Sequence, residues 1–199
     1  MKHSTNLVII SGPSGAGKDS VIDGIANRGV RVERVITSTT REPRPGESEG
    51  KPYYFLSRET MLSKIQRGEM AEHAQVYENL YGVTKKELAR AQQSQKNAIA
   101  IWRVDEQGVR AIRKSYPDAL FIGITAPAED LLKRTEGRGD QQEQIKKRMA
   151  STKEWTGEDG LYDYKIENHE GKLDEAIDET IEILKKEGLL TKPADSDSI

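Results

Sequence analysis

The residues that could do chemistry begin at Gly12-Pro13-Ser14-Gly15-Ala16-Gly17-Lys18-Asp19-Ser20, directly after the apolar run Leu7-Val8-Ile9-Ile10. A buried strand feeding a glycine-rich turn that opens a helix, with Gly-x4-Gly-Lys spacing, is a phosphate-binding loop. Gly15 and Gly17 allow backbone geometries in which successive N–H groups converge on phosphate oxygens. The helix start adds orphan donors and the positive end of a dipole. Lys18 reaches the terminal phosphates as a compact point charge. The motif continues with Ser or Thr to place a hydroxyl on Mg²⁺, and here Asp19 stands in that place. Ser20 follows it but points about 100° further round the helix. A carboxylate is an oxygen ligand for a hard cation, directly or through water. The expectation is a phosphate chain with Mg²⁺ held in altered form by Asp19.

A second set of anion-seeking groups lies further on. Arg41 and Arg44 sit three apart in the polar loop Thr37-Ser38-Thr39-Thr40-Arg41-Glu42-Pro43-Arg44-Pro45-Gly46-Glu47, and Tyr53 and Tyr81 follow. Two guanidinium forks and two phenol hydroxyls suit a phosphate group distinct from the one at Lys18. The alternative is a solvated loop with incidental charges. Pro43 and Pro45 argue against it, because fixing a guanidinium is useful only where something binds it. His3, His73 and His169 have no metal-like spacing and read as surface or packing residues.

These groups need a scaffold. The 199 residues suffice for one α/β domain with an insertion. A net charge of −2 with both signs interspersed offers no basic field for nucleic acid. The absence of cysteine suits a reducing cytosol. No apolar run approaches the ~20 residues that span a bilayer, and the start lacks a signal-peptide pattern. Leu7–Ile10, Ala98–Val104 and Leu120–Ile124 read as strands buried on both faces, Val30–Ile36 and Tyr164–Glu167 as half-exposed ones. Helical patterns alternate with them. The last places Leu173, Ala176, Ile177, Thr180, Ile181 and Leu184 on one face. That alternation predicts a parallel sheet covered on both sides. Residues 37–95 break the rhythm and read as an inserted subdomain carrying a helix near Ser57–Gln66. A second irregular piece, Arg134 to Asp140, reads as a hinged cover that closes over ligand. The expected division is one domain over 1–190, with core 1–36 and 96–190, insertion 37–95, a lid at about 134–150, and a flexible tail at 191–199.

The loop Ser38-Thr39-Thr40-Arg41-Glu42-Pro43-Arg44-Pro45-Gly46-Glu47, taken with Gly12–Lys18, Glu72, Tyr81-Gly82 and Arg134–Gly139, resembles guanylate kinase from Leu7 to about Leu184. The resemblance implies a P-loop α/β core, a nucleotide-monophosphate-binding subdomain and a mobile lid. It also implies Mg²⁺-dependent phosphoryl transfer from ATP to GMP in the cytoplasm. By motif, Arg41, Arg44, Tyr53 and Tyr81 would hold the GMP phosphate. Glu72 would accept from guanine's ring N–H and amine, and Thr37 would donate to the guanine oxygen. Asp105 would lie near the substrates at the end of a core strand. Arg134, Arg138 and Arg148 would be lid arginines, acting with Lys18 and Arg41 on the transferring group. Asn168 would lie near the adenine of ATP, whose phosphates the loop from Gly12 to Ser20 would hold.

Two positions depart from the family pattern. Val83 stands where a hydroxyl residue usually follows Tyr-Gly, and Arg103 where an acidic residue usually precedes Asp105 by two. The Gly-Lys-Asp-Ser variant also resembles that of ribose bisphosphate phosphokinases. A kinase for another phosphorylated acceptor and a non-catalytic interaction module therefore stand beside the GMP reading.

Overall fold

The computed structural model describes residues 4–76, 78–94, 97–136 and 160–190. Five parallel strands form the core sheet: β1 (Leu7–Ser11), β2 (Val32–Arg34), β8 (Ile99–Arg103), β9 (Leu120–Thr125) and β10 (Tyr164–Glu167), in the order β10-β9-β1-β8-β2. Side chains alternate across a strand, and the alternation divides the core into two layers. Val8, Ile10, Ile99, Ile101, Leu120, Ile122 and Ile124 pack on one face against helices α1 (Lys18–Asn27) and α6 (Leu173–Lys186). Leu7, Ile9, Ala100, Trp102 and Phe121 pack on the other against α3 (Lys85–Gln93) and α4 (Glu106–Ser115). Both faces are covered, so the central strands read as continuous apolar runs. Each fully buried large side chain contributes about 1.5–3 kcal/mol by leaving water.

The segment between β2 and α3 builds a second sheet with its own order, β4-β5-β3-β7-β6. It consists of β3 (Thr37–Thr39), β4 (Ser48–Glu49), β5 (Pro52–Phe55), β6 (Met70–Val76) and β7 (Asn79–Thr84). Helix α2 (Arg58–Gln66) begins where the Ser57 hydroxyl accepts from Thr60 N at 3.1 Å. Met61, Met70 and Leu80 give this lobe a small core of its own. Where the chain crosses from β2 to β3, buried Glu87 accepts from Ile36 N at 2.9 Å and from the Arg90 guanidinium. A charged side chain thereby satisfies the backbone at the crossing.

Three expectations need correction. Thr37–Thr39 is strand rather than loop, because Ser38 and Thr39 are buried between β5 and β7. Arg134 to Glu136 finish helix α5 (Ala128–Glu136), whose acidic first turn and basic last turn match the helix dipole. In α6 the buried stripe runs through Ala176, Ile177, Thr180, Ile183 and Leu184, while Leu173 in the first turn is 37% exposed. Among the described residues no helix is long and apolar enough to cross a membrane.

Candidate active site

The phosphate loop leaves β1 at Ser11 and enters α1 at Lys18. Gly12 has φ 146°, and a Cβ there would stand 1.8 Å from the Ile124 carbonyl oxygen of β9, so only glycine lets the loop lie this close to the sheet. Gly17 caps α1 at φ 88°, with no side chain accepting from the first turn. The orphan N–H groups of α1 are thus left for an anion. Lys18 Nζ donates to Gly12 O at 2.7 Å and Pro13 O at 2.9 Å, folded back along the loop it belongs to. Gly12, Pro13, Gly15 and Ala16 are buried, and Ser14, Gly15, Gly17, Lys18 and Ser20 line a cleft of about 100 Å³.

Asn168, just past β10, and Arg134 in α5 brace this loop. Asn168 is buried and donates Nδ2 to Ala16 O at 2.9 Å. Its Oδ1 is buried with no hydrogen-bond partner among the described residues. The side chain sits so tightly under the loop that a Cβ on Gly17 would meet Nδ2 at 2.4 Å. Arg134 reaches Gly15 O at 3.4 Å and Asn168 O at 3.2 Å, and pairs with Glu170 at 2.9 Å. Arg138 and Arg148 lie outside the described residues.

In the second sheet, Arg41, Tyr53 and Tyr81 come together. The Tyr53 ring packs edge-on against Tyr81 at 6.1 Å and Phe55 at 6.2 Å, and the Arg41 guanidinium stands 5.5 Å from the Tyr53 ring centre. Arg41 is held by a residue that sequence reasoning passed over. Glu47 accepts from Arg41 NH2 at 2.9 and 2.8 Å, and also from Arg44 N at 2.8 Å. Burial alone would raise the Glu47 pKa. The Arg44 backbone N–H and the Arg41 guanidinium outweigh burial and hold it below the usual carboxylate range. Pro43 and Pro45 are exposed, whereas Glu47 bonds the guanidinium directly. Arg44 itself is exposed at the rim.

Glu72 on β6 is a different kind of carboxylate. Burial, with the Asp105 charge adding to it, pushes its pKa up to about 7. Asp105 caps α4 by accepting from Gly108 N at 2.9 Å. Thr37 lies at the start of β3, paired with Tyr53.

The two regions meet through Arg103. Its Nε stands 3.3 Å from Asp19 Oδ1, and its NH2 donates to the Tyr53 hydroxyl at 3.0 Å. Arg34 approaches the same Asp19 oxygen at 3.2 Å. Asp19 and Arg103 line both the cleft at Lys18 and a larger cavity of about 480 Å³ that extends to Thr37 and Pro52. Nothing in the spacing of Asp19, Arg34 and Arg103 foretold the cluster.

A family model described as guanylate kinase matches residues 4–187. The chain is 37% identical over 196 residues to a guanylate kinase of Carboxydothermus hydrogenoformans, covering 96% of this chain and 92% of that one. It is 38% identical over 190 residues to a guanylate kinase of Sus scrofa, covering 92% and 94%. The crystal structure of guanylate kinase from Anaplasma phagocytophilum superposes with a TM-score of 0.69 at 28% identity, over 93% of this chain and 87% of that one. The match runs through core strands and second sheet alike, and the chain belongs to the guanylate kinase family.

Proposed function

We infer that the protein transfers the γ-phosphoryl group of ATP to GMP, giving ADP and GDP. The observation that carries this reading is one cleft edge with two anion-binding surfaces. An uncapped helix start with Lys18 forms one, and Arg41 with Tyr53 and Tyr81 forms the other, linked by the Arg103–Tyr53 hydrogen bond.

In the transfer, an oxygen of the GMP phosphate forms a bond to the γ-phosphorus. The bond from that phosphorus to the β–γ bridging oxygen breaks, and ADP leaves with the electron pair. The attacking oxygen is already ionised at neutral pH, so no general base is needed. What the protein must do is bring two anions together and neutralise charge as it spreads. Lys18 and the α1 N–H groups are assigned to the phosphates of ATP, with Asn168 and Arg134 bracing the loop. Arg41, Arg44, Tyr53 and Tyr81 are assigned to the GMP phosphate. Glu72 is assigned to guanine N1–H and its amine, with Thr37 at the guanine oxygen and Asp105 beside Glu72. From the sequence, Arg138 and Arg148 are assigned to a lid that follows α5.

The residues present do not fit a protein-held Mg²⁺. Asp19 meets Arg34 and Arg103 at a single oxygen, and two guanidinium groups oppose a dication. Among the described residues no three His, Cys, Asp or Glu side chains gather into a metal cluster. Magnesium therefore enters this reading as the companion of ATP, on the nucleotide's own phosphates. A cytoplasmic setting belongs to the same proposal.

A coupled assay of ADP release tests it across GMP, dGMP, AMP, UMP and ribose 1,5-bisphosphate. Turnover with GMP well above the rest is the expected result. Preference for the sugar phosphate would move the activity to another acceptor.

A further inference from the structure

We propose that Arg103 contacts phosphate during the transfer, as a fixed cation between the two cradles, and that Asp19 positions it instead of binding metal. The proposal rests on the ATP-to-GMP reading and adds a residue to it.

Arg103 is the last residue of β8 and pairs in register with Ile10 of β1. It thus leaves the sheet at the carboxyl edge, where open parallel sheets bind ligands. It lines the same cleft as Ser14, Gly17 and Lys18, and lies at the boundary with the cavity reaching Thr37. Its tethers run in opposite directions, one to Asp19 on the donor helix and one to Tyr53 in the acceptor lobe. A guanidinium carries five N–H donors in a planar fork, and these tethers engage Nε and NH2 only. The fork matches phosphate geometry where lysine offers only a point charge.

Electrostatics favour this role over a purely structural one. A carboxylate immediately after the P-loop lysine would repel the incoming phosphate chain. Asp19 is instead flanked by Arg103 and by Arg34, and Arg34 also pairs with Asp23 at 2.6 Å, so the four side chains together are neutral. An exposed pair adds little stability, so the Asp19–Arg103 contact serves to place the guanidinium rather than to brace the fold. The Asp19 side chain is 59% exposed. Burial works against the Arg103 charge, and Tyr53, Asp19 and Asp105 outweigh it, so the cation persists in the cleft. Where the P-loop pattern places a neutral hydroxyl for a dication, this chain places a held guanidinium.

The test uses Arg103→Met, Arg103→Lys, Asp19→Asn and the Asp19→Asn/Arg103→Met double variant. Each is assayed for kcat, both KM values and Mg²⁺ dependence. Calorimetry of ADP binding in EDTA and thermal unfolding accompany the assays. Arg103→Met is expected to lose ~10²–10³-fold in kcat, to bind metal-free ADP more weakly, and to unfold near the wild-type temperature. Arg103→Lys should recover part of the loss. Asp19→Asn should lower kcat with an unchanged Mg²⁺ midpoint, and should add nothing in the Arg103→Met background. The proposal is overturned if Arg103→Met stays within about threefold of wild type. A Mg²⁺ midpoint displaced by Asp19→Asn overturns the role given to Asp19. Should the wild type fail to phosphorylate GMP, the functional reading fails, and metal-free ADP binding still decides whether Arg103 holds phosphate.

Discussion

Two arginine–aspartate pairs stand at opposite edges of one parallel sheet, and they are built differently. At the amino edge Arg113 of α4 grips Asp163 with both terminal nitrogens, at 2.9 and 3.0 Å. The same carboxylate accepts from Phe121 N at 2.9 Å, and Arg113 lies 4.5 Å from the Phe121 ring centre. The Asp163 side chain is only 6% exposed. At the carboxyl edge Asp19 is mostly exposed, and Arg34 and Arg103 crowd one of its oxygens from 3.2 and 3.3 Å. The first pair is closed around its carboxylate, with Asp163 desolvated and answered inside the protein while the Arg113 side chain reaches solvent. The second is open, with donor geometry left over for an incoming anion. Removing one partner from a closed pair strands the other in a poor solvent, whereas removing one from an open pair mostly exposes it to water.

The largest expected effect breaks the closed pair. Arg113→Ala should cost about 3 kcal/mol of stability, a fall of about 6–12 °C in the unfolding midpoint for a chain of this size. Its kcat at a temperature where it stays folded should be unchanged. Arg103→Met should show the reverse, with stability within about 1 kcal/mol of wild type and activity lost. Thermal unfolding and steady-state kinetics on the same two preparations separate the cases. If Arg113→Ala loses turnover without losing stability, burial is no guide to which pair does which job.

Glu47 sharpens the comparison because it combines both designs. Both its oxygens accept from one Arg41 nitrogen, where Asp163 takes one bond from each of two Arg113 nitrogens, and it does so inside the acceptor cradle. Its expected role is to hold a guanidinium for a ligand rather than for the fold. Glu47→Gln keeps the shape and removes the charge. A hydrogen bond to a charged group is worth about 1.5–3 kcal/mol, so the KM for GMP should rise by roughly 10- to 100-fold. The KM for ATP and the unfolding midpoint should hold. Equal rises in both KM values would make Glu47 a general support of the cleft.

These distinctions mark how far the residues could be read in order. The core strands were legible because burial on both faces leaves continuous apolar runs such as Leu7–Ile10. The phosphate loop was legible because Gly12, Gly17 and Lys18 are fixed by local backbone geometry. Arg41, Tyr53 and Tyr81 were legible as types. The agent holding Arg41 was not, because a loop glutamate has no pattern that separates a tether from a solvated charge. Leu173 misled because helical periodicity says which residues share a face but not where the covering layer ends. The meeting of Arg103 with Asp19 and Tyr53 was least legible. Three elements distant in sequence converge there, and pair distances come from the twist of two sheets rather than from spacing.

Glu72 is the remaining carboxylate, and the neighbouring charge that shifts it is Asp105, of its own sign. Its folded pKa of about 7 lies above its ordinary value of 4.5. A raised pKa means stability that is fully present below about 4.5 and lost as pH rises through about 7, where the ligand-free protein must ionise a half-buried acid. Guanine reverses the preference, since its two N–H donors reward the ionised form. The KM for GMP should therefore fall by about tenfold between roughly pH 6 and 8, while the unfolding midpoint without nucleotide declines from about pH 4.5 to about pH 7 and then levels off. Glu72→Gln should flatten both trends and weaken GMP far more than ATP. GMP's own phosphate titrates near this range, and a slope that survives in Glu72→Gln would belong to the nucleotide. A slope confined to the wild type would place Glu72 in a third class beside the closed and open pairs. Such a carboxylate is kept from cations so that its charge forms fully only when the guanine base arrives to meet it.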